Sequence, residues 1–269
     1  MNNFHGVSNT LFIPLEARIF VSQNFPEYFY DEKALSLAPR LADNTIRKGS
    51  SEYAFLASVA RYYNTDAMTQ AFLAKHKCCN IIHLGDGFET AYDRLNGKSM
   101  PVAAFYEVDL PTVIEARRSL LKTGPNEVLI GADMFDLAWV SKIDTARPSL
   151  LIASGVFQYF TEERILRLIS GLQNVFANAE LIFDATNQTG LAYANKYVEK
   201  TGNTDALMYF CVDNSLEFSQ KANALLIEEC PFFADAKKQL GRRLKLYTRI
   251  AMHVVDKKKR AVLLHLQIS

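Results

Sequence analysis

The spacing of apolar positions along the chain changes near residue 80. Up to about residue 76 they recur at helical intervals, in "LFIPLEARIFVS", "DEKALSLAPRLA", "SSEYAFLASVARYY" and "NTDAMTQAFLAKH", and the serines opening the third segment are placed to cap it. Nothing there reads as a strand, so the spacing predicts a helical cap over residues 1–76, with its last helix running from about Thr65 to His76. From Asn80 onward, short apolar runs alternate with helix-like stretches: "NIIHLG", "AAFYEVD", "EVLIGAD", "SLLIASG" and "ELIFDAT". Two later runs, "ALLIEECPFF" and "RAVLLHLQIS", complete a count of seven strands. This alternation predicts an α/β fold in which residues 77–269 form a doubly wound, seven-stranded, Rossmann-like parallel sheet, one structural unit with its cap. The clearest helix signal is "TEERILRLISGLQNVF". There Thr161 stands as N-cap, Glu162 and Glu163 lie in the first turn, and Ile165, Leu168, Ile169 and Leu172 share one face.

With 269 residues, of which 49% are hydrophobic, the chain can bury one sizeable core. Thirty basic residues against 29 acidic ones leave no net field to attract a polyanion, which argues against a general nucleic-acid binder. The one basic cluster of note, "DKKKR" at Asp256 to Arg260, reads as a solvated hairpin or loop between apolar segments. The four cysteines, Cys78, Cys79, Cys211 and Cys230, have no C-x-x-C spacing and read as buried reduced thiols, and no cluster has metal-ligand spacing. A basic leader followed by an unbroken apolar run is absent, as is any run of eighteen apolar residues, so a cytoplasmic protein without a membrane partner is expected. Oligomeric state is not legible.

In an open α/β sheet, ligands sit beyond the carboxyl ends of the strands, where the winding reverses. The first strand ends there in "GDGFET", with Gly85 and Gly87. A dinucleotide fingerprint needs a third glycine at position 90, which here is Thr90, and Asp86 would repel a pyrophosphate unless it points away. The turn therefore suits a cofactor with no phosphate at this point. About twenty residues on, "FYEVDLP" ends the second strand with Glu107 and Asp109 on one side of it, where a carboxylate can accept hydrogen bonds from both ribose hydroxyls. That combination fits S-adenosylmethionine. It is also compatible with a plain strand-to-helix turn beside a solvated pair of acids.

The segments "LFIPLEARIF", "VARYYNTDAMTQAFL", "IIHLGDGFETAYDRL", "FYEVDLPTVIEARRSLL", "GADMFDLAWV" and "LLIASGVFQYFTEE" resemble, in order and spacing, the leucine carboxyl methyltransferase family, most of all its bacterial branch of polyketide O-methyltransferases. The resemblance runs from about Thr10 to Thr186. It implies the class I methyltransferase fold, S-adenosylmethionine as cofactor, and methyl transfer to a hydroxyl or carboxylate of a small organic molecule. It also implies that Arg61 pairs with the methionine carboxylate, that Asp109 (or, second, Glu107) holds the ribose, and that Asp133 and Met134 lie beside the adenine. Independently, a helix from Thr65 to His76 running back across the sheet would put Arg61 beside Gly85, where a guanidinium can grip a carboxylate with two parallel hydrogen bonds. Two positions depart from the family: Glu89 replaces an aspartate, and Ser154 replaces an acid that helps hold the methionine end of the cofactor.

For the methyl acceptor, Arg18 matches an arginine of the bacterial branch and either faces the pocket or simply bridges two helices, and Tyr28 and Tyr159 are further pocket candidates. The aromatic run of the cap (Phe4, Phe12, Phe20, Phe25, Tyr28, Phe29, Tyr30, Tyr62 and Tyr63) suggests an apolar, partly aromatic acceptor pocket. A carboxylate acceptor needs no general base; for a phenol or alcohol, His5, Tyr28 and Tyr159 are the candidates. His83 and His265 sit within apolar strand patterns and read as core residues. Two other readings stay open. One is a protein carboxyl methyltransferase, which needs a groove for a peptide terminus that nothing marks; the other is a non-catalytic S-adenosylmethionine-binding module, which Ser154 motivates.

Overall fold

Seven strands form one sheet in the order β3-β2-β1-β4-β5-β7-β6. They are β1 (Asn80–Leu84), β2 (Ala104–Asp109), β3 (Glu127–Gly131), β4 (Ser149–Ala153), β5 (Ala179–Thr186), β6 (Leu225–Pro231) and β7 (Ala261–Gln267). The computed structural model describes residues 11–41, 49–97, 100, 103–200 and 207–269; Phe4 and His5 lie outside them. Strands β1 to β5 pair in parallel, while β7 runs antiparallel to both β5 and β6. Parallel winding thus stops at β5. The central strands β1 and β4 are buried at all five of their residues, as continuous apolar runs between two helical layers should be. The chain leaves β1 toward β2 and β3 on one side and returns to β4 and β5 on the other. This reversal opens a crevice at the carboxyl ends of β1 and β4.

Helices α1 (Phe12–Asn24), α2 (Glu32–Leu37) and α3 (Glu52–Lys75) precede the sheet. Asp31 caps α2 by accepting from the Ala34 N–H at 2.8 Å, and Ser51 caps α3 by accepting from the Ala54 N–H at 3.1 Å. The two segments read from the sequence as separate helices are one helix of 24 residues. The polar residues at and after the junction of the two segments are satisfied within the single helix. Asn64 donates to the Phe232 carbonyl at 2.9 Å, Thr65 to the carbonyl of Arg61 at 2.8 Å, and Thr69 to that of Thr65 at 2.7 Å.

Further along come α4 (Ala91–Arg94), α5 (Pro111–Leu120), α6 (Glu162–Val175), α7 (Gln188–Lys200), α8 (Ser215–Lys221), α9 (Ala234–Leu240) and α10 (Leu246–Lys257). In α6, Thr161 Oγ1 accepts from the Arg164 N–H, and Ile165, Leu168, Ile169 and Leu172 are buried, as the pattern predicts. One core joins Leu56, Val59 and Phe72 of α3 to Ile81, Phe105 and Leu150 of the sheet; another joins Ile165 and Ile169 of α6 to Ile82, Leu151 and Phe183 on the opposite face. The basic cluster is not a hairpin. It is the end of α10 and the turn into β7, where Lys259 adopts φ 48°. Of the cysteines, Cys79 is buried and burial pushes its thiol up to about 11, Cys211 and Cys230 are half-buried, and Cys78 is exposed, contrary to expectation; all four are free. Among the described residues no helix is long and apolar enough to cross a membrane, and no group of three or more His, Cys, Asp and Glu could hold a metal ion.

Candidate functional site

The Gly-Asp-Gly turn and the acid of the second strand meet. The Gly85 N–H donates to the Val108 carbonyl at 2.8 Å, and then the backbone takes φ of 66° at Gly85 and 58° at Gly87, where a side chain is strained. A Cβ at position 85 would lie 2.6 Å from the Val156 side chain, and one at position 87 would lie 3.0 Å from Leu11. Asp109, at the end of β2, accepts from the Gly87 N–H at 2.8 Å through one oxygen and from the Leu110 N–H at 2.7 Å through the other. Burial raises its pKa, opposed by those same N–H groups and Arg117. Asp86 points away from the crevice. Its side chain is buried 3.1 Å from Arg117, and burial, with Glu107, Asp109 and Glu89 nearby, raises its pKa well above the usual carboxylate range against the pull of Arg117.

Behind the turn, buried charges lock the backbone from which it springs. Arg117 of α5 donates to the Glu89 carbonyl at 2.6 Å and to Glu127 at 2.8 Å, and Glu107 stands 3.9 Å away. Glu107 and Asp109 do lie on the same side of β2, but Glu107 has no exposed surface and faces His83 Nδ1 at 3.1 Å. The ribose role considered for it is therefore excluded by its enclosure. Burial alone would raise Glu107 and lower His83; each instead holds the other in its charged form, with Arg117 helping to keep Glu107 low. Arg18, read as a pocket candidate, is also enclosed. It is 1% exposed, and it donates to Asp31 at 2.9 Å, to the Phe88 carbonyl at 2.5 Å and to the Thr90 hydroxyl. Arg94 completes the group with two bonds to Asp66, at 2.7 and 2.8 Å, and one to Glu89 at 2.6 Å. Despite burial, Arg94 and Arg18 hold Glu89 well below the usual carboxylate range. Glu89 is thus an internal anchor for α4, with no contact to the crevice.

The other half of the crevice lies at the ends of β4 and β5. Arg61 is found there, against Gly155. A Cβ on Gly155, whose φ is 73°, would stand 2.6 Å from Arg61 Nη1. Asp184, near the end of β5, accepts from Arg61 Nη1 at 3.2 Å and from the Gly155 N–H at 2.5 Å. Three polar atoms in this region are buried with no hydrogen-bond partner: Ser154 Oγ, Arg61 Nε and Thr186 Oγ1. Buried donors and acceptors are normally paired, so these mark places a bound group would satisfy. Sequence reasoning passed over Gly155 and Asp184. The available signal was "FDAT" closing the fifth strand, in the same relation to β5 as "EVD" to β2.

Of the remaining candidates, Tyr159 is half-buried in the short turn Phe157–Tyr159 after Ser154. Asp133 is exposed beyond β3; it accepts from the Phe135 N–H at 3.0 Å, and Arg164 stands 3.5 Å away. Met134 is buried, and its carbonyl accepts from Trp139 Nε1 at 3.1 Å. Tyr28 is not in a pocket. It is 4% exposed and stacked on Tyr63 at 4.6 Å, and burial, reinforced by Tyr63 and Asp235, raises its phenol pKa beyond use as a base. The cap aromatics pack mainly on one another: Phe20 stacks on Phe55 at 4.3 Å, and Phe25, Phe29 and Tyr62 are buried.

A sequence model of leucine carboxyl methyltransferases matches residues 13–173, well over half of the chain and nearly all of the crevice-forming strands. The chain belongs to the leucine carboxyl methyltransferase family. Across the family, its likeness to the tetracenomycin polyketide synthesis O-methyltransferase TcmP of Streptomyces glaucescens is 25% identity over 240 residues, covering 86% of this chain and 87% of that one. Leucine carboxyl methyltransferase 1 of Bos taurus is 26% identical over 155 residues, 46% of this chain and 47% of that protein. An S-adenosyl-L-methionine-dependent methyltransferase of Gibberella zeae, dpfgK, is 25% identical over 198 residues, 67% of this chain and 66% of that one. The fold is shared with a DUF574-family protein of Streptomyces avermitilis (TM-score 0.60, 13% identity, 94% and 96% coverage). It is shared too with a Thermobifida fusca protein assigned as a methyltransferase (TM-score 0.59, 17% identity, 93% of both chains). As a member of this family the chain is a methyltransferase, and S-adenosylmethionine is its methyl donor.

Proposed function

We propose that this leucine carboxyl methyltransferase family member methylates an oxygen of a small organic molecule. The observation that carries the reading is the extent of the likeness to TcmP, nearly the full length of both chains, where leucine carboxyl methyltransferase 1 is matched over less than half of its own. Gly85 and Gly87 let a ligand approach the backbone. Each Asp109 oxygen holds one N–H and keeps a lone pair for a ribose hydroxyl. Asp133 and Met134 border the adenine position, and Arg61 with Ser154 receives the methionine end. The bound cofactor supplies a methyl group on a good leaving group, so what the chain contributes is alignment and exclusion of water. Tyr159, in the turn that follows Ser154, is the base candidate this reading retains, since Tyr28 is in the core and His5 is outside the described residues.

The test has two stages. Calorimetry with S-adenosylmethionine comes first, followed by a methyl-transfer screen over small carboxylic acids, small phenols and a peptide ending in leucine. Turnover on a small acid or phenol supports the reading. Methylation of the peptide alone replaces it with protein carboxyl methylation, and binding without turnover on any acceptor leaves a binding module.

A further inference from the structure

We infer that Asp184 and Arg61 together form a receptor for the amino-acid zwitterion of the cofactor, with Asp184 as the acid that faces its ammonium group. The inference rests on the cofactor reading above and assigns a residue that reading did not use. An α-amino acid presents a carboxylate and an ammonium one carbon apart, so its complement is a cation and an anion side by side. Arg61 Nη1 and Asp184 Oδ2 are 3.2 Å apart at the ends of α3's middle turn and β5, and both side chains are nearly buried, 13% and 10% exposed. The pair is incomplete as it stands. Arg61 Nε is buried without an acceptor, so the guanidinium has bonding capacity beyond Asp184. Each Asp184 oxygen takes one hydrogen bond, from Arg61 and from Gly155, and a carboxylate oxygen has room for a second.

Position 154 cannot supply the charge, because Ser154 Oγ is neutral, buried and itself unpartnered. Gly155 is what allows the arrangement. With no Cβ, it admits the guanidinium against its backbone, and its N–H holds Asp184 beside it. A buried like-for-like exchange follows: the ligand's carboxylate satisfies Arg61 while its ammonium satisfies Asp184, and neither partner is left as an unpaired charge.

Three thioethers separate the contributions without the sulfonium: S-adenosylhomocysteine (both charges), S-adenosyl-3-thiopropylamine (ammonium only) and methylthioadenosine (neither). Calorimetry on the wild-type protein should show the amine bound at least about tenfold more tightly than methylthioadenosine, as a charge-assisted hydrogen bond requires. In Asp184→Asn, which keeps an acceptor for Gly155 but no charge, S-adenosylhomocysteine and the amine should each weaken by about 10- to 100-fold while methylthioadenosine changes by less than about threefold. Melting of the ligand-free variant checks that it folds. Equal losses for all three ligands overturn the inference, since Asp184 would then act only as scaffold. So does a wild-type protein that binds the amine no better than methylthioadenosine, a result available even if the variant fails to fold. If the wild type binds none of the three, the cofactor reading itself falls and this inference with it.

Discussion

Replacing Arg117 with methionine removes one buried cation while roughly keeping its volume, and the consequence can be worked from the contacts. The guanidinium lies 3.1 Å from Asp86, 2.8 Å from Glu127 and 3.9 Å from Glu107. Breaking a buried pair by deleting one partner costs about 3–5 kcal/mol, because the other charge is left uncompensated. Here the losses are softened. Burial already shifts Asp86 toward its neutral form, Glu107 keeps His83 at 3.1 Å, and Glu127 keeps the Gly124 N–H at 2.8 Å. The low end, about 3 kcal/mol, is therefore expected, or a fall in Tm of roughly 6–12 °C for a chain of this size.

The sign of the pH dependence follows. Without Arg117 the pull that opposes burial at Asp86 is gone, and its folded-state pKa rises further above the unfolded one, so the variant's stability is lost as pH rises through that value and recovered below it. Urea unfolding at pH 7 and pH 5 should show a gap between wild type and Arg117→Met that narrows at the lower pH. A gap below about 1 kcal/mol at pH 7, or one that widens on acidification, would refute the account of Arg117 as the compensating charge.

Three further outcomes are expected. Asp109→Ala should weaken S-adenosylmethionine binding by about 10- to 100-fold in calorimetry, since both the ribose acceptor and the tether to Gly87 go; unchanged affinity in a folded variant removes Asp109 from the site. Gly155→Ala places a side chain at φ 73° and 2.6 Å from Arg61 Nη1, so it should cost about 1–2 kcal/mol of stability and weaken S-adenosylhomocysteine more than methylthioadenosine; equal effects on the two ligands would show that Arg61 is not displaced. Tyr62→Leu should destabilise by about 2–4 kcal/mol and Tyr62→Phe by clearly less, because the ring rather than the hydroxyl meets Arg18, Arg94 and Arg61 at 5.0, 5.5 and 5.7 Å; thermal melts giving equal losses would count against the ring contacts.

How much of this was legible in the sequence depended on range. The seven strands and the capped face of α6 were readable because period and capping are local properties, and so was the meeting of the glycine turn with Asp109, which only requires neighbouring strands. The antiparallel β7 was not, since an apolar run carries no direction. Alternation placed Glu107 on the same side of β2 as Asp109 but could not show that His83 and Arg117 enclose it. Arg18 and Tyr28 were misplaced for a related reason: a residue type suggests chemistry, while burial among partners from other segments decides whether that chemistry faces a ligand. Asn64 and Thr65, where the second segment was read to begin, bond to the Phe232 and Arg61 carbonyls within a continuous helix. Asp184 stands near the end of an apolar run, a local signal, but its partners lie 29 residues away at Gly155 and 123 away at Arg61, beyond any local pattern.

The unbroken α3 gives the crevice its common reference. Within five residues of this one helix, Arg61 turns to Asp184 and Gly155 at the ends of β4 and β5, Tyr62 faces the arginines behind the glycine turn, and Asp66 takes two bonds from Arg94. Those arginines in turn hold Glu89, Thr90 and the Phe88 carbonyl, the residues that continue from Gly87 into α4. A helix rises about 1.5 Å per residue and bends little over so short a span, so the separation between the Asp109–Gly87 half and the Arg61–Asp184 half is set by rigid geometry. A methyl donor that must present its sulfonium in line with an acceptor has to be held at both ends at once, and any slack between those ends is lost alignment. The buried charges behind the turn are costly to assemble, and they are enclosed by protein. Their position explains their use: they tie the turn that carries Gly85 and Gly87 to the helix that carries Arg61, so that the two ends of the crevice keep a fixed distance.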